Sequence, residues 1–169
     1  MDTWEYFFHR LFHTNQYLYR HFHSVHHRLY VPYAFGALYN HWFEGLLLDT
    51  VGAGIAHGLS FMTIRQGIAL FTLSTLKTVD DHCGYSLPFD PLQRLFPNNA
   101  AYHDVHHQVC TSTYGQHGVF CSEHSPYVQA WGIKYNFSQP FYVHWDAILG
   151  TRHDGQRPPR KGKNKDKDI

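Results

Sequence analysis

H-R-L-F-H at 9–13, H-S-V-H-H at 23–27 and H-D-V-H-H at 103–107 dominate this chain. Their histidines, His9 and His13, then His23, His26 and His27, then His103, His106 and His107, recur at i, i+3 or i+4, so a helix would present each cluster from one face. With 16 histidines in 169 residues, a single H-x-x-x-H is as readily incidental as functional. Independent placement predicts roughly a tenth of one H-x-x-H-H motif, so two copies are hard to ascribe to composition. Imidazole suits iron, zinc, copper and nickel, and no cluster contains the cysteines that structural zinc sites favour. The direct reading is a histidine-rich site for two metal ions.

Around these clusters the chain reads as one all-α domain. Apolar and aromatic residues, 43% and 17% of the chain, argue against disorder. A net charge of +1 offers nucleic acid no general electrostatic attraction. A helix is expected from Trp4 to about Tyr30, ended by Pro32. Pro88, Pro91 and Pro97 punctuate a later loop-rich stretch, and Asn98 or Asn99 stands where it would cap the helix carrying His103 to His107. No alternation long enough for a sheet occurs, and nothing repeats beyond the doubled histidine motif.

The middle of the chain has membrane character. Thr50 to Ile64 lacks Asp, Glu, Lys and Arg, and so does Gln66 to Leu76 beyond Arg65. Neither run attains the roughly 18 apolar residues of a confident span. Gly52, Gly54 and Gly58 suit close helix packing, so the pair reads as a helical hairpin turning near Arg65. It can be re-entrant, interfacial or buried in a soluble core. Cys83, Cys110 and Cys121 form no paired framework, as in a reducing or cytosol-facing compartment. Asp2, Glu5 and Arg10 interrupt the first apolar residues too early for a secretory signal. The tail 152–169 is basic, with Arg152, Arg157, Arg160, Lys161, Lys163, Lys165 and Lys167; it reads as a solvated, disordered end able to meet acidic lipid head groups.

The order of the clusters, with apolar helices between the second and third, resembles the fatty acid hydroxylase and sterol desaturase superfamily. More narrowly, H-S-V-H-H-R-L-Y-V-P-Y-A-F-G-A-L-Y-N-H (23–41), S-T-L-K-T-V-D-D-H-C-G-Y (74–85), L-P-F-D-P (87–91) and G-I-K-Y-N-F-S-Q-P-F (132–141) resemble the fungal sphinganine C4-hydroxylases. The resemblance implies an all-α integral membrane enzyme of the endoplasmic reticulum, with a helical cytosolic cap on a membrane hairpin and an active site facing the cytosol. Its catalytic domain would be 1–151. It implies a di-iron centre that uses O2, with electrons from NAD(P)H through cytochrome b5 and its reductase. The reaction implied is hydroxylation of a saturated sphingoid base, sphinganine or dihydroceramide, at C4 to give phytosphingosine or phytoceramide. Carried over by motif, the metal ligands are His9, His13, His23, His26, His27, His103, His106 and His107, with His82 of D-D-H-C-G-Y as a ninth.

Attack on an unactivated methylene requires a strongly oxidising metal centre, and imidazoles resist oxidation better than thiolates. Asp80, Asp81 and Asp104 are expected either to hydrogen-bond the second ring nitrogens, orienting the ligands and setting their tautomers, or to be ordinary solvated acids. Phe7, Phe8, Phe12 and Tyr17 would shelter an alkyl chain or pack the helices. The ending K-D-K-D-I (165–169) resembles a dilysine signal for retrieval to the endoplasmic reticulum.

Three departures from the family pattern stand out. Met1 falls inside the helix leading to the first cluster, where family members carry preceding membrane helices, so the chain reads as a fragment or a late-start gene model. The segment 109–129 interrupts the family's passage from H-H-Q to W-G-I-K. It is a whole number of codons whose ends fit those of a short intron, and it reads as translated intron or an inserted loop. Trp42 follows His41 where the family has proline. Other open readings are another superfamily lipid oxidation, by a sterol desaturase or fatty acyl hydroxylase, and an inactive, truncated metal-binding isoform.

Overall fold

The structure, a computed structural model, describes residues 1–29, 31–108 and 135–153. Every regular element among them is helical. The segment 109–129, with Cys110 and Cys121, and the tail beyond 153 lie outside the described residues.

The expected helix from Trp4 to Tyr30 is three elements. Helix α1 runs Asp2–Thr14 and α2 runs Gln16–His21, and a 3-10 helix carries His23–Arg28. Asn15 makes the first break: its backbone is extended, and its side chain accepts from the backbone N–H of Tyr17 and Leu18 at 3.0 and 3.1 Å. Asparagine competes with helical hydrogen bonding in this way and stabilises a new N-terminus by about 1 kcal/mol.

Residues 42–59 form a helical run in three registers. Helix α3 covers Trp42–Gly45, a π-helix covers Leu46–Val51, and α4 covers Gly52–Leu59. Trp42 is the first residue of α3 and 72% exposed, with His41 as its cap. A first helical position needs no internal partner for its N–H, and the exposed tryptophan satisfies the backbone there. The widened turn is held from α1, where Trp4 Nε1 donates to Leu47 O at 2.9 Å. Gly52 permits that approach, since a Cβ there would stand 2.8 Å from the Trp4 ring.

Helix α5, Ile64–Asp81, packs back against α4. Its N-terminus is a reciprocal box in which Thr63 and Gln66 bond each other's backbone N–H. The expected hairpin therefore forms, with the turn just before Arg65. Its close contact is Gly67 against His57, whereas Gly54 and Gly58 face open space. No helix among the described residues is long and apolar enough to cross a membrane. Exposed Leu59, Phe61, Ile64 and Ile68 nevertheless line the hairpin tip, at 76%, 94%, 78% and 62% of full exposure.

Helix α6, Pro91–Leu95, is capped by Asp90, and α7, Ala100–Gln108, begins at Asn99, whose Oδ1 accepts from Tyr102 N. Asn98 has a different use: buried, it donates to Asp81 and to Pro140 O. Residues 135–153, with α8 at His144–Ile148, wrap back over α1 and α7. Asp2 Oδ1 accepts the N–H of Phe141 and Tyr142, and Tyr6 OH meets Thr151 Oγ1 at 2.9 Å. Tyr6, Tyr19 and Phe137 form the apolar core beside Trp145, each such buried ring contributing about 1.5–3 kcal/mol. Of the aromatics expected to shelter a chain, Phe12 is core, while Phe7 and Tyr17 are largely exposed.

Candidate metal centre

The nine sequence-selected histidines come together, all at 6% exposure or less. They form two sets whose ligating nitrogens lie within 4.8 Å of one another: His9, His13, His23, His27 and His106 in the first, and His26, His82, His103 and His107 in the second. The sets adjoin, with the His27 and His107 rings 4.8 Å apart.

The H-x-x-H-H motif has a specific use here. Its first and fifth residues serve one set and its fourth serves the other; in an α-helix the first and fifth are about one turn apart and the fourth points roughly 100° away from the fifth. His23 and His27 join the first set while His26 joins the second, and in α7 the assignment is reversed, with His103 and His107 in the second set and His106 in the first. The clusters converge as the two-metal reading expects, and each doublet straddles the two sets. The α register of α7 places its residues in this way; in the 3-10 run of 23–28, where i and i+3 lie one above the other, the division is made by side-chain contacts, His27 with His13 and His26 with His82.

Within the sets Nε2 atoms face Nε2 atoms. His13 stands 3.2, 2.8 and 3.1 Å from His9, His23 and His27, and His103 stands 3.0 and 3.1 Å from His82 and His107. Nitrogens about 2.1 Å from a shared ion at near-right angles would be about 3 Å apart. His106 Nε2 is buried and has no hydrogen-bond partner. Lone pairs that converge on one another in a dry interior need an electrophile between them, so this donor set fits metal ions.

Burial keeps the rings neutral, as ligation demands. It pushes His9 and His106 down to about 3 and His26 and His82 to about 4, with the neighbouring imidazoles adding to the effect; His23, His27, His103 and His107 are also held well below the ordinary value.

The outer Nδ1 atoms are oriented chiefly by backbone. His9 meets Phe137 O at 2.9 Å, His82 meets Thr78 O at 2.7 Å, His106 meets Tyr135 O at 3.0 Å, and His26 meets Tyr39 O at 3.3 Å. His23 alone among these meets an acid, Glu44. The acids expected in this role are engaged otherwise: Asp80 accepts from Gln93 Nε2, and Asp81 pairs with fully buried Lys77 and with Asn98. Asp104 lies half-buried on α7.

Glu44 and Asp146 were missed. Glu44 shares with Asp49 the distinction of being a charge within W-F-E-G-L-L-L-D-T-V-G-A-G (42–54), a legible sign of a buried acid. Asp146 accepts from Phe137 N, Ser138 N, Tyr102 OH and Thr151 Oγ1. It thereby fixes the strap whose carbonyls hold His9 and His106, and no local pattern announces it.

The protein is 54% identical over 92% of its length to the sphingolipid C4-hydroxylase of Saccharomyces cerevisiae, covering 38% of that protein. It is 52% identical over 89% to sphinganine C4-monooxygenase 2 of Arabidopsis thaliana, covering 50% of it. It is also 54% identical over 89% to the very-long-chain aldehyde decarbonylase GL1-9 of Oryza sativa subsp. indica, again covering 50%. The chain thus spans half or less of the length of these curated relatives. No solved structure matches it. Residues 1–125 match the family model described as fatty acid hydroxylase, and with these similarities the chain belongs to the fatty acid hydroxylase family.

Proposed function

We propose that the nine histidines hold two iron ions, and that the protein containing this chain uses O2 to hydroxylate a saturated sphingoid base at C4. The single observation that carries the reading is the convergence of nine buried imidazoles into two adjoining sets, in a chain more than half identical to proteins named for this reaction. Iron bound there supplies the activation of O2 for oxidation of an unactivated C–H bond. One atom of O2 enters the product and the other leaves as water, with two electrons and two protons supplied. NAD(P)H, through cytochrome b5 and its reductase, is the source of electrons.

The chain's own residues do the rest. Histidine Nε2 atoms present neutral donors, and Phe137 O, Thr78 O, Tyr135 O, Tyr39 O and Glu44 hold the rings so that little reorganisation accompanies the reaction. The exposed apolar tip of the α4–α5 hairpin lies against the endoplasmic reticulum bilayer, with the centre on the cytosolic side.

The test is the sphingoid-base profile of a host lacking its own C4-hydroxylase and expressing this chain. Phytosphingosine, lost on His106→Ala, is expected; its absence with protein present in the membranes defeats the reading for this chain. Similarity to the rice protein named as an aldehyde decarbonylase favours a second reading, in which an alkane-forming reaction replaces hydroxylation, and the same extracts decide it.

A further inference from the structure

Beside the histidine sets lies a narrow cleft whose enclosed space is about 30 Å³. It touches both sets, through His9 and His23 of one and His26 and His82 of the other. Unlike an alkyl channel it is lined by Glu44, Asp49, Asn40 and Gln139 as well as by Ala37 and Leu48. Glu44 is 4% exposed; its Oε1 is bound to His23, and its Oε2 is buried without a partner. Asp49 is hydrogen-bonded by Asn40.

The π-helix explains why two acids five residues apart share this cleft. In a regular α-helix they would diverge by about 140°. The i→i+5 turn of Leu46–Val51 brings such residues toward one face.

The following rests on the reading of the centre as a sphingoid-base hydroxylase. The base carries its amine at C2, so the nitrogen lies within roughly 4 Å of C4 by covalent geometry. An aliphatic amine is a cation at neutral pH. It must therefore sit close to metal ions whose ligands are all neutral, and repulsion requires anionic groups beside it. The geometry points to this cleft as the seat of the substrate's polar head: Asp49 and the free oxygen of Glu44 receive the ammonium, and Asn40 and Gln139 stand beside them for the hydroxyls. C4 then lies against the histidine sets, and specificity for the free base follows from a charge that an amide lacks.

Equilibrium binding of radiolabelled sphinganine and N-acetylsphinganine to the purified full chain in detergent tests this without requiring turnover. The intact chain should bind sphinganine at least tenfold more tightly. Asp49→Asn should weaken sphinganine roughly tenfold, as expected for one charge-assisted contact, while leaving the N-acetyl compound within about twofold, and Asp49→Glu should restore the preference. Circular dichroism establishes that each variant keeps its helices. Equal affinity of the intact chain for the two ligands, or an equal loss for both in a folded Asp49→Asn, overturns the inference. A chain that makes phytosphingosine without this preference keeps the proposed reaction and loses the head-group site; one that shows the preference but makes no C4 product does the reverse.

Discussion

Glu44 and His23 are joined by a buried hydrogen bond across 21 residues of sequence, Nδ1 donating to Oε1. Burial pushes the Glu44 carboxyl up to about 7, so the carboxylate gains from a partner that donates a proton. Glu44→Ala frees the His23 ring and should weaken metal binding by about 10–100-fold, with Glu44→Gln intermediate. Competition with a chelator of known affinity measures this; unchanged affinity in Glu44→Ala removes the orienting role.

His106 and His107 are adjacent in sequence and belong to different sets. The intact chain should carry two metal ions by elemental analysis. His106→Ala should lower occupancy of the five-histidine set and His107→Ala that of the four-histidine set, each variant approaching one ion per chain. Loss of both ions from either variant would mean that the sets behave as a single site.

Asp146 is a buried acceptor for four donors. Asp146→Ala strands the N–H groups of Phe137 and Ser138, each worth about 1–3 kcal/mol when left unsatisfied. Denaturant unfolding should show a loss of about 3 kcal/mol or more. Metal affinity should fall as well, because Phe137 O ceases to fix His9.

Lys77 and Asp81 form a buried pair on α5. Lys77→Met leaves a buried carboxylate behind and should cost about 3–5 kcal/mol. Lys77→Met with Asp81→Leu should recover part of that loss, though not the bond from Asn98. The difference between single and double variants measures the coupling.

Acid should destabilise the metal-free chain. Eight imidazoles have folded values below the unfolded one near 6.5, among them His9 and His106 at about 3 and His26 and His82 at about 4. In that window the unfolded chain binds more protons, so their stability contribution is complete above about pH 6.5 and is lost as pH falls toward 3–4. Five buried or part-buried acids act oppositely as pH falls, Glu44 and Asp81 raised to about 7, Asp49 raised to about 6, and Glu5 and Asp80 also raised, but the eight histidines outnumber them. The Tm of chelator-treated protein should fall from pH 7 to pH 5, and a rise would contradict this balance.

The helical class and eight of the nine histidines were legible because helical spacing is local: i, i+3 and i+4 neighbours share a face whatever the rest of the chain does, whereas the lone His82 was reached only through the family resemblance. Asn99 as a cap and the α4–α5 hairpin were legible for the same reason, being matters of a few adjacent residues. The break at Asn15 was harder, since an asparagine within an apolar-periodic stretch is either a tolerated helix residue or a new cap, and only packing of α1 and α2 decides between them.

Local spacing alone picked out the clustered histidines as candidate ligands and placed them on helices. The docking of separate elements sets how the doublets divide between two sets, makes backbone carbonyls and Glu44 rather than Asp80 and Asp81 the partners of the rings, and lets Asp146 secure the strap. These depend on contacts between residues as far apart as His9 and Phe137. Such contacts form only when separate elements dock, and no periodicity along the chain encodes which carbonyl will meet which ring.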